Sequence, residues 1–242
     1  MADPLPPELP VTPILVIANK LYSSWSLRPW ILLRQLGLAF EEVLVPLHQP
    51  ETAAAIRRYS PAGKVPVLVD GGVTVWDSLS IIEYAAERWP EAGIWPRDVA
   101  ARALARSISA EMHSGFMGLR RACPMNLGKS FAGRDRGEQV AVDVARIEEI
   151  WADARRRFGE GGPFLFGAFT AADAMYAPVV TRLDTYGIEV GAGTRAYMDA
   201  ILGCSAFGEW REAALRESWV VDADEVDEPA LADHRREIGA LP

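Results

Sequence analysis

The first ninety residues alternate between short apolar runs and amphipathic stretches, a pattern typical of a mixed α/β domain. Residues 14–18 (ILVIA) are rich in β-branched side chains, as expected for a strand buried on both faces. Helical spacing then begins at Ser23 or Ser24 and stops at Gly37. The pattern predicts the remaining elements in order: a strand over 40–46, a helix over 51–59, a third strand within 64–69, a turn at 70–72, a strand over 73–76 and a helix from Asp77 or Ser78 to 89.

Strand alternation stops near residue 89, and helical spacing continues in the rest of the chain. The predicted order is therefore β-α-β-α-β-β-α, followed by an all-α domain. Helical patterns cover residues 98–121, 138–158, 170–186, 195–203 and 205–218. We expect a flexible leader over 1–12, an α/β domain over 13–90, a linker over 91–97, an all-helical domain over 98–220 and an acidic, loosely attached C-terminal extension over 221–242.

Composition narrows the class of protein. Half of the 242 residues are hydrophobic and 24% are charged, so a sizeable core can form. The net charge of −8 disfavours nucleic acid and anionic membranes as partners. Cys123 and Cys204 lie far apart, which favours neither a disulfide framework nor a zinc ribbon and fits a reducing cytoplasm. We expect neither a signal peptide nor a membrane span, because acids and prolines fill the first ten residues and charged residues or prolines interrupt every apolar stretch.

Three loop ends of the α/β domain carry candidate binding groups. Ser23, Ser24 and Ser26 stand at the start of the first helix, where free N–H groups favour an anion, although a serine there is also an ordinary N-cap. The pair Val65-Pro66 precedes an apolar strand, and a proline there must start the strand or occupy a bend. The pair Asp77-Ser78 opens another helix, again as a cap or as a ligand site.

A fourth motif has a structural interpretation. Thr170 and Asp173 have the spacing of a capping box, with Phe164, Leu165 and Phe166 as the preceding hydrophobic residues. A carboxylate that is bonded to its own helix is a poor general base. We therefore expect this box to hold a buried helix start rather than to take part in catalysis.

Together these motifs make the chain resemble the glutathione transferases, whose first domain is thioredoxin-like and whose second is all-helical. The resemblance covers most of the sequence through four segments: YSSWSLRPW (22–30), SPAGKVPVL (60–68), WDSLSIIEYAAERWP (76–90) and FLFGAFTAADAMYAPVVTRL (164–183). It implies a cis proline at position 66, glutathione as co-substrate, activation of its thiol for attack on an electrophilic small molecule, and a homodimer.

The resemblance also implies roles for individual residues. Serine-type members carry the thiol-contacting hydroxyl five residues before an arginine, which here selects Ser23, with Ser24 as the second choice. By the same resemblance, the backbone of Val65 beside Pro66 would pair with the cysteinyl part of glutathione. The remaining glutathione contacts implied are Asp77 to the α-amino group, Ser78 to the α-carboxylate and Lys64 to the glycyl carboxylate.

The second substrate is expected between the two domains. The candidate residues for this site are Tyr22, Trp25, Met112, His113, Phe116 and Arg120. The three histidines have no ligand spacing, so we expect no metal.

Two alternatives to conjugation remain open. The SSxS pattern resembles the zeta class, which includes maleylacetoacetate isomerases, but that class has a cysteine where this chain has Trp25. The other alternative is a non-catalytic interaction or stress protein with the same fold, because a fold alone does not fix function.

Overall fold

The computed structural model describes residues 12–240, so nearly all of the predicted leader over 1–12 lies outside the described residues. The first domain contains one four-stranded sheet in the order β2-β1-β3-β4, in which β1 is parallel to β2 and antiparallel to β3. Its elements are β1 (Ile14–Ile17), α1 (Ser24–Gln35), β2 (Glu41–Leu44), α2 (Thr52–Arg57), β3 (Val67–Asp70), β4 (Val73–Val75) and α3 (Ser78–Arg88).

Both faces of the central strand β1 are buried, as the apolar run predicts. Leu15 and Ile17 belong to the main core, which includes residues of α1 and α3 and continues into the second domain. Val16 faces the other way, into a small cluster with Val67 and with Ile56 of α2. Successive side chains of a strand point to opposite faces, so a strand between two helical layers must be apolar throughout.

The second domain is helical apart from one short two-stranded sheet. Its elements are α4 (Val99–Ser114), α5 (Met117–Ala122), β5 (Lys129–Ser130), α6 (Glu138–Phe158), α7 (Ala171–Thr185), α8 (Ala192–Leu202), α9 (Ser205–Leu215), β6 (Ala232–Asp233) and α10 (His234–Glu237), with 3₁₀ turns at Pro90–Ala92 and Asp222–Asp224. Among the described helices, none is both long and apolar enough to cross a bilayer. The predicted combination of a thioredoxin-like domain and an all-α domain is confirmed.

Helix α7 is the central helix of the molecule and packs against both α1 and α4. Its first turn is fixed by Asp173, whose carboxylate accepts hydrogen bonds from the Thr170 backbone (2.8 Å) and hydroxyl (2.9 Å). The same carboxylate accepts from the Leu165 backbone (3.0 Å) and the Tyr197 hydroxyl (3.1 Å). The bonds with Thr170 fix the helix start, as the capping-box interpretation predicts, and the other two tie it to the preceding loop and to α8.

Two features of the second domain differ from the prediction. The helical pattern over 98–121 is interrupted, because Gly115 ends α4 and Phe116 adopts a left-handed backbone with φ of 58°. A side chain at Gly115 would lie 2.7 Å from the Glu111 carbonyl oxygen, so the break requires glycine.

The expectation of a loosely attached C-terminal extension is wrong. Strand β6 pairs with β5, and the Arg235 side chain is buried, donating to the carbonyl oxygens of Glu217 and Trp219. Glu228 forms ion pairs with Arg134 and Arg136. Glu225 likewise pairs with Lys129, so part of the acidic composition of this segment serves pairing with basic residues of the helical domain.

Candidate active site

The turn between β1 and α1 contains the three candidate serines, and each has different hydrogen-bond partners. Ser23 caps α1, because its Oγ accepts from the Ser26 N–H at 3.3 Å. The Ser23 hydroxyl donates to Ser26 Oγ at 2.8 Å, and Ser26 Oγ accepts from the Ala18 N–H at 3.0 Å. Ser26 is fully buried within this network. Of these two serines, only Ser23 lies in a cavity wall, and a rotation about its C–O bond would redirect its proton.

The neighbouring hydroxyls are held by other partners. Ser24 Oγ accepts a hydrogen bond from Arg182 Nη2 at 3.3 Å. The Tyr22 hydroxyl donates to Glu225 at 2.7 Å, and burial together with this carboxylate raises the pKa of Tyr22 well above its usual value. Tyr22 is therefore a neutral wall residue and not a source of tyrosinate.

The backbone of this turn is held by the second domain and the segment that follows it. The Glu217 carboxylate accepts from the N–H groups of Lys20 (2.7 Å) and Leu21 (3.2 Å). Trp210 Nε1 donates to the Lys20 carbonyl at 2.9 Å. Glu217 is nine-tenths buried, and burial raises its pKa while the two backbone N–H groups lower it. The position of the serines thus depends on residues about 190 positions away in sequence.

The other two loop ends lie as predicted beside β3 and α3. The Val65–Pro66 peptide bond is cis, and Lys64 is exposed. Asp77 caps α3 through a 3.1 Å bond from the Leu79 N–H, and its second carboxylate oxygen lies 3.1 Å from His113 Nε2. Ser78 is fully buried, and within the described residues its hydroxyl has no hydrogen-bond partner.

A cavity of about 330 Å³ opens between the serine turn and the second domain. Tyr22, Ser23, Ser24, Trp25, His113 and Arg120 are predicted site residues that line it. Two other candidates, Met112 and Phe116, are almost fully buried in the core and are not part of its wall.

Sequence reasoning missed four residues that line this cavity: Leu47, Met117, Arg182 and Asp224. Arg182 had a detectable signal, because it is the one basic residue in an otherwise apolar and small-residue stretch of α7. Asp224 had none, since it reaches the cavity only through the folding of the C-terminal segment. Cys123, in contrast, is buried, and burial raises the pKa of its thiol to about 11, which makes it unreactive.

Comparison with known proteins agrees with this architecture. Residues 22–88 match the N-terminal domain of the glutathione S-transferases, and residues 132–214 match their C-terminal domain. Glutathione S-transferase 1 of Dianthus caryophyllus is 34% identical over 69% of this chain and 77% of its own length. A probable maleylacetoacetate isomerase of Caenorhabditis elegans is 27% identical over 70% of this chain and 81% of its own.

Solved structures support the same fold. A glutathione transferase homologue from Burkholderia GL BGR1, with bound glutathione, superposes with a TM-score of 0.62 at 22% identity, covering 84% of this chain and 98% of that one. The two matched domains together span more than half of the sequence. The chain therefore belongs to the glutathione S-transferase family.

Proposed function

We propose that this glutathione transferase activates the thiol of glutathione with Ser23 and directs it at an electrophile in the cavity beside Trp25. The observation that carries the proposal is the placement of Ser23 at the N-terminus of α1, in the wall of a cavity that the second domain completes. A helix N-terminus favours negative charge, and a hydroxyl donor there favours the thiolate over the thiol.

The remainder of glutathione would lie along β3 and the start of α3. The Val65 backbone would pair with the cysteinyl unit, and the exposed Lys64 would reach the glycyl carboxylate. Asp77 would bind the α-amino group, and the buried Ser78 hydroxyl, which has no partner in the described chain, suits the α-carboxylate. A buried polar group without a partner is unfavourable, so a ligand oxygen at Ser78 would relieve that cost.

The chemistry is activation of the sulfur of the co-substrate. A free thiol has a pKa of about 8.5, so most of it is protonated at neutral pH. Ser23 would redirect its proton from Ser26 Oγ to the sulfur, and the thiol proton would pass to solvent. The sulfur lone pair then forms the bond to the electrophilic carbon, and the leaving group departs with its electron pair.

Calorimetry with glutathione tests the binding half of this proposal. Asp77→Asn keeps the shape of the cap but removes the charge that faces the α-amino group, so we expect affinity to fall about tenfold. Asp98→Asn is the matched control, because Asp98 caps α4 in the same way, with a 2.8 Å bond from the Ala101 N–H. Absence of any heat of binding at millimolar glutathione would overturn the proposal.

Turnover assays separate conjugation from the two alternatives. A conjugating enzyme consumes glutathione in proportion to product. An isomerase of the maleylacetoacetate type converts a maleyl substrate while glutathione is conserved, and an interaction protein shows neither activity. Consumption of glutathione with a halogenated nitroaromatic substrate is the result expected here.

The family resemblance further suggests a homodimer in the cytoplasm. The exposed apolar residues Val73 and Trp76, each 45% exposed at the edge of the sheet, support a subunit contact. The free, buried Cys123 and Cys204 are consistent with a reducing compartment. Sedimentation velocity tests the assembly, and fractionation of the source cells tests the location.

A further inference from the structure

Three arginine side chains from three helices meet beside Trp25. The Arg28 guanidinium lies over the Trp25 ring, 4.2 Å from its centroid, and that of Arg120 lies at 5.0 Å. Arg182 reaches Ser24, the next residue along α1, with its Nη2 at 3.3 Å from Ser24 Oγ. Arg120 and Arg182 line the cavity, while Arg28 lies against Trp25, which also lines it. One end of the cavity is therefore strongly basic.

No carboxylate pairs with any of these guanidinium groups within the part of the chain that the structure describes. Arg28 is fully buried, and none of its three guanidinium nitrogens has a hydrogen-bond partner there. Arg120 donates to the carbonyl oxygens of Met112 and Gly115, and Arg182 donates to that of Cys123. The Met112 and Gly115 carbonyls belong to the C-terminal end of α4, whose dipole offsets part of the charge of Arg120, whereas Arg28 has no such partner in the described chain.

Such a cluster is unfavourable without an anion. A guanidinium does not lose its proton in proteins, and a buried charge without a counter-charge is costly. Burial and the neighbouring Arg120 and Arg182 lower the pKa of Arg28 well below its usual value, and burial with Arg120 lowers that of Arg182 to about 10. A bound anion would stabilise all three charges at once.

The described cavity wall supplies a single acidic side chain, Asp224. It is only half-buried, and burial raises its pKa while Arg182 lowers it. Outside the cavity wall, Asp77 and Asp143 raise the pKa of Arg28 and Arg120 from a distance, but neither contacts a guanidinium group. Within the described residues, the basic end of the cavity therefore has no anion in contact with it and can accept one. The volume of about 330 Å³ suits a small ring with one substituent.

We propose that the electrophile of this transferase carries a carboxylate, which Arg120 and Arg182 bind while Arg28 adds positive charge from behind Trp25. The carboxylate would lie near Ser24, and the reactive carbon would face Ser23 on the adjacent position of the turn. This inference rests on the proposed function for its reaction, but the anion site itself does not depend on glutathione.

A matched pair of substrates tests the charge directly: 4-chloro-3-nitrobenzoate and 4-chloro-3-nitrobenzamide. In both, the sulfur lone pair of glutathione forms a C–S bond at the carbon that bears chlorine, and the C–Cl electron pair leaves with chloride. The thiol proton goes to solvent, and nothing is oxidised or reduced. The two compounds have nearly the same shape and differ in charge.

The measured quantity is kcat/KM divided by the uncatalysed rate constant with glutathione, which removes the intrinsic difference in reactivity. We expect this ratio to favour the acid at least about tenfold, the effect of one charged hydrogen bond. Arg120→Gln should remove most of the preference and Arg120→Lys only part of it. Arg121→Gln, an exposed neighbour with the same change in charge, should leave it intact. An equal ratio for acid and amide in the unaltered protein would overturn the inference.

Calorimetry with unreactive probes separates this inference from the proposed function. In the presence of S-methylglutathione, 3-nitrobenzoate should bind at least about tenfold more tightly than 3-nitrobenzamide. If S-methylglutathione does not bind but the nitrobenzoate preference is present and is lost in Arg120→Gln, the proposed function fails and the anion site stands. If S-methylglutathione binds and displaces 3-nitrobenzoate, the arginines hold a carboxylate of glutathione and the inference is wrong.

Discussion

Replacing Ser23 by alanine removes one hydroxyl that caps α1 and that we propose as the donor to glutathione, and these two roles predict two separable effects. As a cap, its Oγ accepts from the Ser26 N–H, and loss of an N-cap costs ~1 kcal/mol of the free energy of unfolding. As a donor, its proton is available to the sulfur of glutathione only when it leaves Ser26 Oγ. The first effect concerns stability, and the second concerns the thiolate.

The size of the second effect follows from the hydrogen bond that is exchanged. The 2.8 Å bond from Ser23 to Ser26 is between neutral groups and is worth ~1 kcal/mol, whereas a bond to a thiolate is worth ~1.5–3 kcal/mol. The net gain of ~0.5–2 kcal/mol corresponds to a thiolate-to-thiol ratio about 2- to 30-fold higher at a given pH. Ser23→Ala should therefore raise the pKa of bound glutathione and lower the rate of conjugation at neutral pH by a similar factor.

The assay is a pH titration of the ultraviolet thiolate absorbance of bound glutathione, run beside the pH dependence of kcat/KM. Ser24→Ala is the matched control, since it removes the same atom from the next residue without removing the cap. It should leave the thiol pKa close to that of the unaltered protein. The reasoning would be refuted if the thiol pKa of bound glutathione in Ser23→Ala equalled that in the unaltered protein while the pKa in Ser24→Ala was raised. That result would assign the role to Ser24.

Two further substitutions test the surroundings of the turn, and a third tests the start of α7. Tyr22→Phe should leave the thiol pKa unchanged, because the hydroxyl already donates to Glu225, but should lower thermal stability through the loss of a bond worth ~1.5–3 kcal/mol. Glu217→Gln places an amide N–H against a backbone N–H and should cost ~1–3 kcal/mol by chemical denaturation, with a reduced thiolate fraction, unlike the exposed Glu212→Gln. Burial raises the pKa of Asp173 to about 6, above the pKa that this carboxyl group has in the unfolded chain. The protonated carboxyl group therefore stabilises the folded state fully below the unfolded-chain pKa, and this contribution is lost as pH rises towards 6. The stability of the unaltered protein relative to Asp173→Asn should therefore fall by ~3 kcal/mol over that range, and a pH-independent difference would contradict it.

The elements of the first domain were predictable because each one is encoded locally. The run over 14–18 must be apolar on both faces, and Asp77 caps α3 through a hydrogen bond within its own sequence neighbourhood. The end of α4 was not predictable from spacing, because the helical pattern continues across Gly115 although the backbone adopts a left-handed conformation at Phe116. The attachment of the C-terminal segment was missed for a related reason: its acidic residues suggest a solvated tail until their basic partners are known.

The residues of the candidate site also fall into two groups, one marked by local sequence and one that depends on tertiary packing. Ser23 and Asp77 lie at helix starts that the sequence marks, and both take up the predicted positions. Arg182 and Asp224 come from distant segments, and only the packing of α7 and the C-terminal segment brings them to the cavity. The residues proposed to hold glutathione were thus inferable from motifs. The cavity wall was inferable only in part, because Arg120 was a candidate from sequence whereas Arg182 and Asp224 reach the wall through tertiary contacts.

The contacts of the serine turn explain why the candidate site depends on both domains. The turn belongs to the first domain by sequence, yet its backbone N–H groups donate to Glu217 and its Lys20 carbonyl accepts from Trp210. Arg182 of α7 donates to Ser24, and His113 of α4 meets Asp77, so both ends of the proposed glutathione site also contact the helical domain. Substitutions that shift α7 or the segment after α9 are therefore expected to affect the proposed thiol activation as well as the cavity proposed for the electrophile. On the proposed function, selection of the second substrate and activation of the first would for this reason depend on one packed interface, and the first domain alone would lack the groups that hold the serine turn.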